Sequence, residues 1–364
     1  MTNPTIPMSG EETESLKRCI QRSPALWKEM QEKPSRFRVL TGERPTGALH
    51  IGHYFGSLKS RVQLQEWGVE LFLILADYQA ITDRKSTESI KGSVRDIILD
   101  YLAIGIDPQK ATIFCHSMVP SLNQLLLPFL SLVSMSELQR NPTVKDEIAL
   151  LGTRSVSGLM MTYPVHQAAD ILFCKGNVVP GGKDQLPHIE LTRSIARRIN
   201  RDYFHGEAYF PEPELLLGDV TMLLGLDGLK MGKSMHNSIQ IKMSADETAQ
   251  LIKGAKTDSE RNISYDPVQR PEVANLLLMY SLCTGIEPEV IAGRIGSQGA
   301  SVLKKELTEV INDYFQPMRE RRKLYEQDEA LVWEILKQGN LKANQVADTT
   351  LHDLRAAMHM QYYE

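Results

Sequence analysis

The sequence predicts an α/β fold, in which a doubly wound parallel sheet is followed by an all-helical domain. Three observations support this prediction. Apolar runs of strand length alternate with helical patterns from about residue 36, a glycine-containing turn follows the first run, and the pattern after about residue 245 is helical throughout. Parallel strands require helical crossovers of this kind, because a two-residue turn cannot connect them.

Each element of the sheet domain is predicted from the spacing of its apolar residues. The helix at 87–104, for example, carries Ile90, Val94, Ile97 and Tyr101 at helical intervals. Predicted strands occupy 37–41, 71–76, 111–115, 171–174 and 178–180, and predicted helices begin after residue 51 or occupy 87–104 and 187–200. We assign the sheet domain to 36–240.

The remaining regions are predicted to be helical. Residues 121–162 interrupt the alternation, and we expect a helical insertion with one leucine-rich helix at 122–138. Apolar residues on more than one face of that helix suit either a subunit interface or plain core packing. Residues 1–35 are predicted to form an appendage with short amphipathic helices at 16–20 and 25–30. The C-terminal domain is assigned to 241–364, with helices at 245–254, 272–283, 288–295, 300–325 and 329–337.

Composition excludes several classes of protein. With 42% apolar and 24% charged residues, a chain of 364 residues can form two packed domains. The longest apolar run, at 71–76, is too short to cross a membrane, so we expect a cytoplasmic protein with no membrane partner. The four cysteines lack the spacing of metal ligands, which predicts reduced thiols and no structural zinc.

The net charge of −4 argues against a protein that binds nucleic acid over its whole surface. Any RNA contact must therefore be local, and the basic stretch at 319–323 is the candidate. It contains Arg319, Arg321, Arg322 and Lys323, but acidic residues surround it. Charge alone predicts a solvated helix face there.

The histidine segment, residues 41–53 (TGERPTGALHIGH), lies between the first predicted strand and the next helix. A doubly wound sheet binds nucleotide at this position, since glycines let the backbone approach a phosphate and a helix N-terminus attracts it. His50 and His53 are three residues apart and face one side of the first turn. A metal site would need a third ligand, and only Glu43 and Tyr54 are near. A pair of histidines satisfied by ordinary partners would be commoner, but the proline and glycines at fixed offsets in this segment favour phosphate contact.

The lysine segment, residues 229–235 (LKMGKSM), follows a glycine-containing loop. Its GKS sequence is similar to the end of a P-loop, but that motif requires glycine where Asp227 stands. Lys230 and Lys233 are instead suited to bind a pyrophosphate leaving group. Taken alone, the segment would be interpreted as a solvated basic loop.

Together, the two segments resemble the signatures of class I aminoacyl-tRNA synthetases, with HIGH at 50–53 and a KMSKS-like loop at 230–234. Between them, YPVHQAADI at 163–171 and GGKDQLPHIELTR at 181–193 resemble stretches of the tryptophanyl-tRNA synthetase family. The resemblance runs from about Arg38 to the C-terminus. It implies a Rossmann-like catalytic domain and a C-terminal helical domain that binds the tRNA anticodon.

In that family the carboxylate of tryptophan attacks the α-phosphate of ATP, and the aminoacyl group then passes to tRNA. The resemblance implies L-tryptophan, ATP with Mg²⁺ and tRNA(Trp) as ligands, a homodimer, and no tightly bound protein metal. The implied catalytic residues are His50, His53, Lys230, Lys233 and Ser234. The residues implied to bind ATP are Arg44, Pro45, Thr46, Gly52, His53, Gly182, Lys183, Asp184, Met222, Lys230, Met231, Gly232, Lys233 and Ser234.

The same resemblance implies a tryptophan site around Asp170, whose carboxylate would accept the N–H group of the indole ring. Tyr163 and Gln185 would face the ammonium group, and Gln167 and Gln79 would line the pocket. A buried acceptor of this kind discriminates against phenylalanine, which would leave it unpaired. From the residues alone, Asp170 could instead be a helix carboxylate that a neighbouring donor satisfies.

Three positions depart from the common pattern of the family. Gly232 stands where serine is usual, Gln167 where many members have methionine, and Gln79 where histidine is frequent. The changes at Gln167 and Gln79 resemble a second bacterial subtype, and Gly232 adds backbone freedom to the lysine segment. We expect them to alter substrate affinity and inhibitor response, while the reaction class stays the same.

Two alternative functions remain open at this point. A tyrosyl-tRNA synthetase shares the fold and both nucleotide signatures, although the stretches at 163–171 and 181–193 favour tryptophan. A synthetase-like regulator that binds tryptophan without charging tRNA is favoured by the N-terminal appendage and by Gly232. A Rossmann dehydrogenase is excluded, because the chain lacks its glycine fingerprint.

Overall fold

The fold is taken from a computed structural model, which describes residues 14–82, 87–151, 155–218, 223–232, 235 and 237–362. The strands are β1 (Arg38–Glu43), β2 (Glu70–Leu75), β3 (Ala111–Cys115), β4 (Val178–Gly181) and β5 (Glu214–Leu217). The helices of the first two thirds are α1 (Glu14–Glu32), α2 (Ile51–His53), α3 (Lys59–Trp67), α4 (Ile90–Ile104), α5 (Pro120–Gln124), α6 (Leu126–Leu130), α7 (Met135–Arg140), α8 (Pro142–Leu151), α9 (Gly158–Leu172) and α10 (Leu186–Tyr203). The last third contains α11 (Ala245–Lys253), α12 (Pro271–Thr284), α13 (Pro288–Ile295), α14 (Ala300–Glu326) and α15 (Glu329–Ala357).

The five strands form one parallel sheet in the order β3-β2-β1-β4-β5. From β1 the chain runs outward through β2 to β3, and it then returns to the other side of β1 to form β4 and β5. The direction of winding therefore reverses between β1 and β4. This arrangement confirms the predicted doubly wound α/β fold, and the reversal is where such sheets bind ligands.

Both faces of the sheet are buried, as a parallel sheet requires. Along β2, Leu71 and Leu73 pack into one apolar core, whereas Phe72 and Ile74 pack into the other. One core also contains residues of α12 and α14, and the other contains residues of α9 and α10. The sheet is thus the central layer, and the carboxyl ends of its strands are left for the site.

The two terminal helices pack against the outer strands. The N-terminal stretches predicted as separate helices form the single helix α1, which packs on β5 and buries Leu26 and Met30. The last predicted helix, 329–337, extends to residue 357 and packs against β3. A Cβ at Gly339 would lie 1.8 Å from the carbonyl oxygen of Ile113, so only glycine lets α15 approach the strand this closely.

Two local predictions are wrong. The single helix predicted at 122–138 is three helices, α5 to α7, because the helical hydrogen bonding is interrupted and Ser134 caps a new helix with a reciprocal contact to Glu137. The strand predicted at 171–174 is the end of α9 and the turn after it. A short apolar run buried on all sides does not distinguish a strand from a core helix.

The basic stretch on α14 is only partly a solvated face, because Arg321 and Lys323 are exposed whereas its other two basic residues are buried. Arg322 is buried, with ion-pair distances of 2.9 Å to Asp96 and 3.2 Å to Asp100 of α4. Arg319 is buried as well and donates to the hydroxyl of Thr248 at 2.8 Å. Arg322 pairs with acidic residues of α4, and Arg319 bonds a hydroxyl of α11. Both helices are distant in sequence from this stretch, so local charge balance did not reveal the contacts.

Among the described helices, none is long and apolar enough to cross a membrane by itself. One bent pair, Pro271–Thr284 with Pro288–Gln298, reaches that length and composition when its two members are taken together.

The boundaries between the predicted domains, after residues 35 and 240, stay a prediction.

Candidate active site

The predicted nucleotide residues lie where the winding of the sheet reverses. The histidine segment includes the end of β1 and the turn after it, and residues 182–184 follow β4, the neighbouring strand. Because parallel strands end at the same edge, the two groups lie on the same side of the sheet. Arg44, Lys183 and Asp184 are exposed at this edge, whereas Pro45 is buried.

The two histidines are held by the start of the helix. His50 precedes α2 with an extended backbone, and its N–H donates to Nδ1 of His53 at 3.2 Å. The two rings lie 3.7 Å apart between their centroids. Because Nδ1 of His53 accepts a hydrogen bond, a neutral His53 ring carries its hydrogen on Nε2, which makes that atom a donor suited to phosphate oxygen. A wide π-helical turn, Tyr54–Leu58, follows directly.

The histidine and lysine segments meet in the structure. Main-chain hydrogen bonds join Ile51 to Ile239 at 2.9 Å and Ile241 to Leu49 at 3.0 Å, so the strand-like stretch after the lysine segment pairs with the histidine segment. A Cβ placed on Gly52 would lie 2.9 Å from the sulfur of Met231. Residues about 180 positions apart in the sequence are therefore in contact at the proposed phosphate site.

Side-chain amides and a carboxylate shape the lysine segment. Asn237 donates to Asp227 at 3.0 Å and to the carbonyl oxygen of Lys230 at 3.1 Å, and its own oxygen accepts from the N–H of Gly232 at 3.2 Å. Asn275 of α12 bonds both main-chain groups of Leu224, at 2.9 and 3.1 Å. Lys230 is exposed. Three predicted ATP residues, Met222, Lys233 and Ser234, lie outside the described residues.

The predicted tryptophan residues come together on α9 and beside it. Asp170 is 2% exposed, and its Oδ2 accepts from the side-chain amide of Gln79 at 3.3 Å. The amide of Gln167 donates to the oxygen of Gln185 at 3.0 Å, and the amide of Gln185 donates to Asp184 at 2.7 Å. A chain of polar contacts thus connects residues assigned to the amino acid with Asp184, assigned to the ribose side of ATP.

Tyr163 is buried beside this group, and burial raises the pKa of its hydroxyl above the ordinary value. Its ring packs against that of His188 at 5.4 Å between centroids. Burial lowers the pKa of His188 to about 4, so the ring is neutral at physiological pH. His188 belongs to the stretch at 181–193, but the sequence pattern assigned it no role.

Sequence reasoning also missed His116, which contacts Asp170, and His166, whose ring stacks on His116. His116 follows β3 directly, and its Nε2 makes a short contact with Oδ1 of Asp170. The ring of His166 is stacked on that of His116, with centroids 4.1 Å apart and planes 3° from parallel. A signal was available for His116, because it is a polar residue at the carboxyl end of a buried strand.

His116, His166 and Asp170 place possible metal ligand atoms within 4.8 Å of one another. The ring geometry does not suit a shared ion. The lone pair of an imidazole nitrogen lies in the ring plane, and two stacked parallel rings cannot both direct such pairs at one ion. Nε2 of His166 is moreover hydrogen bonded to Asn123 at 2.8 Å.

Comparison with known proteins agrees with this geometry. A family model described as tRNA synthetases class I (W and Y) matches residues 32–316. The tryptophan–tRNA ligase of Clostridium longisporum is 41% identical over 334 residues, which cover 89% of this chain and 97% of that protein. The tryptophan–tRNA ligase of Streptococcus pyogenes serotype M1 is 40% identical over 339 residues, or 89% and 98% of the two chains.

Among solved structures, tryptophanyl-tRNA synthetase from Campylobacter jejuni, complexed with ADP and tryptophan, matches with a TM-score of 0.77 and 31% identity. The match covers 89% of this chain and 100% of that chain. The fold and the two joined segments define an aminoacyl-tRNA synthetase of class I. The chain belongs to the family of class I tRNA synthetases for tryptophan and tyrosine.

Proposed function

We propose that this chain is a tryptophan–tRNA ligase. It activates L-tryptophan with Mg²⁺-ATP to give tryptophanyl-adenylate and pyrophosphate, and it then transfers the tryptophanyl group to tRNA(Trp). The observation that carries this proposal is the contact between the histidine and lysine segments at the reversal point of the sheet. The identity of about 40% to tryptophan–tRNA ligases over most of the chain supports the choice of amino acid.

The activation step needs no protein nucleophile. A carboxylate oxygen of tryptophan attacks the α-phosphorus of ATP, and the bond to the bridging oxygen of pyrophosphate breaks. Negative charge moves onto the leaving group, so the protein contributes mainly by orientation and by stabilising that charge. Magnesium enters with ATP as part of the substrate.

We assign the phosphates to the two segments. His50, Gly52 and His53 lie on one side, with Arg44, Pro45 and Thr46 in the turn before them. Lys230, Met231 and Gly232 lie on the other, and Lys233, Ser234 and Met222 complete the set from their sequence positions. The exposed residues 182–184 at the end of β4 would hold the ribose. Donors placed around a developing pyrophosphate are the arrangement that such a reaction requires.

We assign the amino acid to the pocket around Asp170. Its carboxylate would accept from the indole N–H, Tyr163 and Gln185 would face the ammonium group, and Gln167 and Gln79 would line the walls. The low exposure of Asp170 and the long contact of its Oδ2 with Gln79 support this assignment. Oδ2 of this buried carboxylate has only the long contact with Gln79, so a ligand without a donor there would leave that oxygen weakly paired and would bind less well.

The partners beyond the small substrates belong to the same proposal. A homodimer with its interface near 121–162 agrees with two exposed apolar side chains there, Leu127 at 73% and Met135 at 58% exposure. We assign the helices after residue 240 to anticodon binding and expect a cytoplasmic enzyme.

The test of the amino acid is exchange between ATP and labelled pyrophosphate, measured separately with tryptophan and with tyrosine. Tryptophan is expected to drive exchange and tyrosine to give the background rate. Exchange driven by tyrosine alone would identify the sister enzyme instead.

The test of tRNA transfer is charging of a tRNA(Trp) transcript by the same preparation. Charged product is expected. Active exchange without charged product would support the regulator and refute the ligase.

A further inference from the structure

Asp170 is held from two sides by contacts of different kind. Its Oδ1 makes the short contact with Nε2 of His116, whereas its Oδ2 is 3.3 Å from the amide nitrogen of Gln79. A contact at 3.3 Å is longer than most N–H···O hydrogen bonds and is correspondingly weaker. Oδ2 is therefore the oxygen that can accept a ligand donor, and His116 fixes the direction in which it points.

The orientation of His116 is itself determined by Asn123 and His166. The amide nitrogen of Asn123 donates to the carbonyl oxygens of His116 at 2.8 Å and of Val119 at 3.0 Å. Both amide hydrogens are then in use, and the amide oxygen must accept from Nε2 of His166 at 2.8 Å. His166 therefore carries its hydrogen on Nε2.

His166 is a neutral ring. Its Nδ1 is buried and has no hydrogen-bond partner among the described residues, which is the environment of an unprotonated nitrogen. Burial, as the largest cause, also lowers the pKa of His166. A neutral ring stacked within 4.1 Å restricts rotation of the His116 ring while leaving its Nε2 beside Asp170.

We propose that His116, held by stacking on His166, is a positioning residue that makes Asp170 selective for a ligand ring bearing an N–H donor. This inference rests on the proposed tryptophan site and adds to it the group that orients the acceptor. His116 itself does not touch the ligand. It donates to Oδ1 and keeps Oδ2 directed as an acceptor.

The test compares the dissociation constants of tryptophan and of 3-benzothienylalanine, measured by titration calorimetry. The analogue has a sulfur atom in place of the indole N–H, so the ratio of the two constants isolates the hydrogen bond to Asp170. His116→Phe retains an aromatic ring for stacking and removes the donor. It is expected to reduce the preference for tryptophan by about tenfold or more, mainly through weaker tryptophan binding.

His116→Gln restores a donor of similar reach, and its preference is expected to stay within about threefold of the unmodified chain. His116→Asn, whose amide is too short to reach Asp170, is expected to resemble His116→Phe and replaces it if that variant does not fold. Thr112→Val is the matched control, because Thr112 is buried on β3 and its hydroxyl has no hydrogen-bond partner among the described residues.

If His116 had only a structural role, His116→Phe would weaken the binding of both ligands equally. The ratio of their dissociation constants would then stay unchanged, and this result would overturn the proposal. The proposal would also be overturned if His116→Gln lost as much preference for tryptophan as His116→Phe does. It would be overturned as well if the unmodified chain did not bind tryptophan more tightly than 3-benzothienylalanine. The binding ratio does not depend on catalysis, so its failure is distinguishable from failure of the ligase proposal, which pyrophosphate exchange tests.

Discussion

The phosphate side and the amino-acid side of the candidate site lie at the same edge of one sheet, yet different contacts hold them. On the phosphate side, main-chain hydrogen bonds join the histidine segment to residues 239–241, and Gly52 leaves room for Met231. On the amino-acid side, Asp170 is held by side chains that follow two different strands, His116 and Gln79.

This difference separates reaction from selection. ATP supplies the same phosphate groups whichever amino acid is activated, so the histidine and lysine segments need not differ with the substrate. The choice of amino acid depends on the side chains around Asp170. Changes in the histidine and lysine segments should therefore affect mainly turnover, and changes of the side chains around Asp170 should affect mainly tryptophan binding.

The largest effect on activity is expected from Gly52→Ala. Its Cβ would lie 2.9 Å from the sulfur of Met231 and 3.0 Å from Nδ1 of His50, so the Met231 side chain and the His50 ring must shift. We expect kcat for pyrophosphate exchange to fall by about 100-fold, because a displacement near 1 Å is enough for such a loss.

The matched control for this variant is Gly56→Ala. Gly56 lies in the adjacent π-helical turn, and an added Cβ there would meet none of the described residues within 4 Å. Its activity is expected to remain within about twofold, since alanine is tolerated well in helical backbone. Equal losses in the two variants would show that close packing at Gly52 is not the cause.

A smaller effect is expected from Asn237→Ala, which removes the bonds to Asp227, to the Lys230 carbonyl and to the Gly232 N–H. The lysine segment would lose its defined shape, and we expect kcat to fall about tenfold while the dissociation constant of tryptophan stays unchanged. Asn344→Ala is the control, because Asn344 also donates to two carbonyl oxygens, both at 2.8 Å. Weaker tryptophan binding in Asn237→Ala would contradict the separation of the two sides.

A change at His188 is expected to have the smallest effect on activity. Its main effect is expected on the pH dependence of protein stability. Burial lowers its pKa to about 4, whereas the unfolded chain has the ordinary value near 6.5. Between these values the unfolded state binds a proton that the folded state does not. The contribution of His188 to the free energy of unfolding is fully present above about pH 6.5. It is lost as the pH falls toward 4, and the loss amounts to up to ~3 kcal/mol.

Urea unfolding at pH 7 and pH 5 measures this contribution. His188→Phe is expected to reduce the loss of unfolding free energy between the two pH values, and His352→Phe, at an exposed position of α15, is expected to leave it unchanged. Equal pH dependence in the unmodified chain and in His188→Phe would show that His188 is not the group responsible.

Much of the fold was predictable because apolar periodicity records burial directly. The first three strands and the helices α11 to α14 were predicted close to their observed bounds, and the fold class is confirmed. The predictions failed where burial is uniform, as at 171–174, or where partners are distant, as for Arg319 and Arg322. The strand β5, only four residues long, was missed.

The site was predictable in the part that is continuous in sequence. The histidine and lysine segments and the stretches at 163–171 and 181–193 each carry a recognisable pattern, and the family they indicated is confirmed. The contact between Asp170 and His116 and the one between His166 and Asn123 were not predictable, since His116 and Asn123 come from other parts of the chain. No periodicity in one sequence records that these side chains meet.

The most direct measurement of the division between the two sides is the steady-state kinetics of pyrophosphate exchange for Lys233→Ala and Asp170→Asn, with Lys305→Ala, at an exposed lysine of α14, as the control. Lys233→Ala is expected to lower kcat with little change in the KM for tryptophan. Asp170→Asn is expected to raise that KM and to reduce discrimination against phenylalanine with a smaller change in kcat. Equal changes of kcat and KM in both variants would contradict the account.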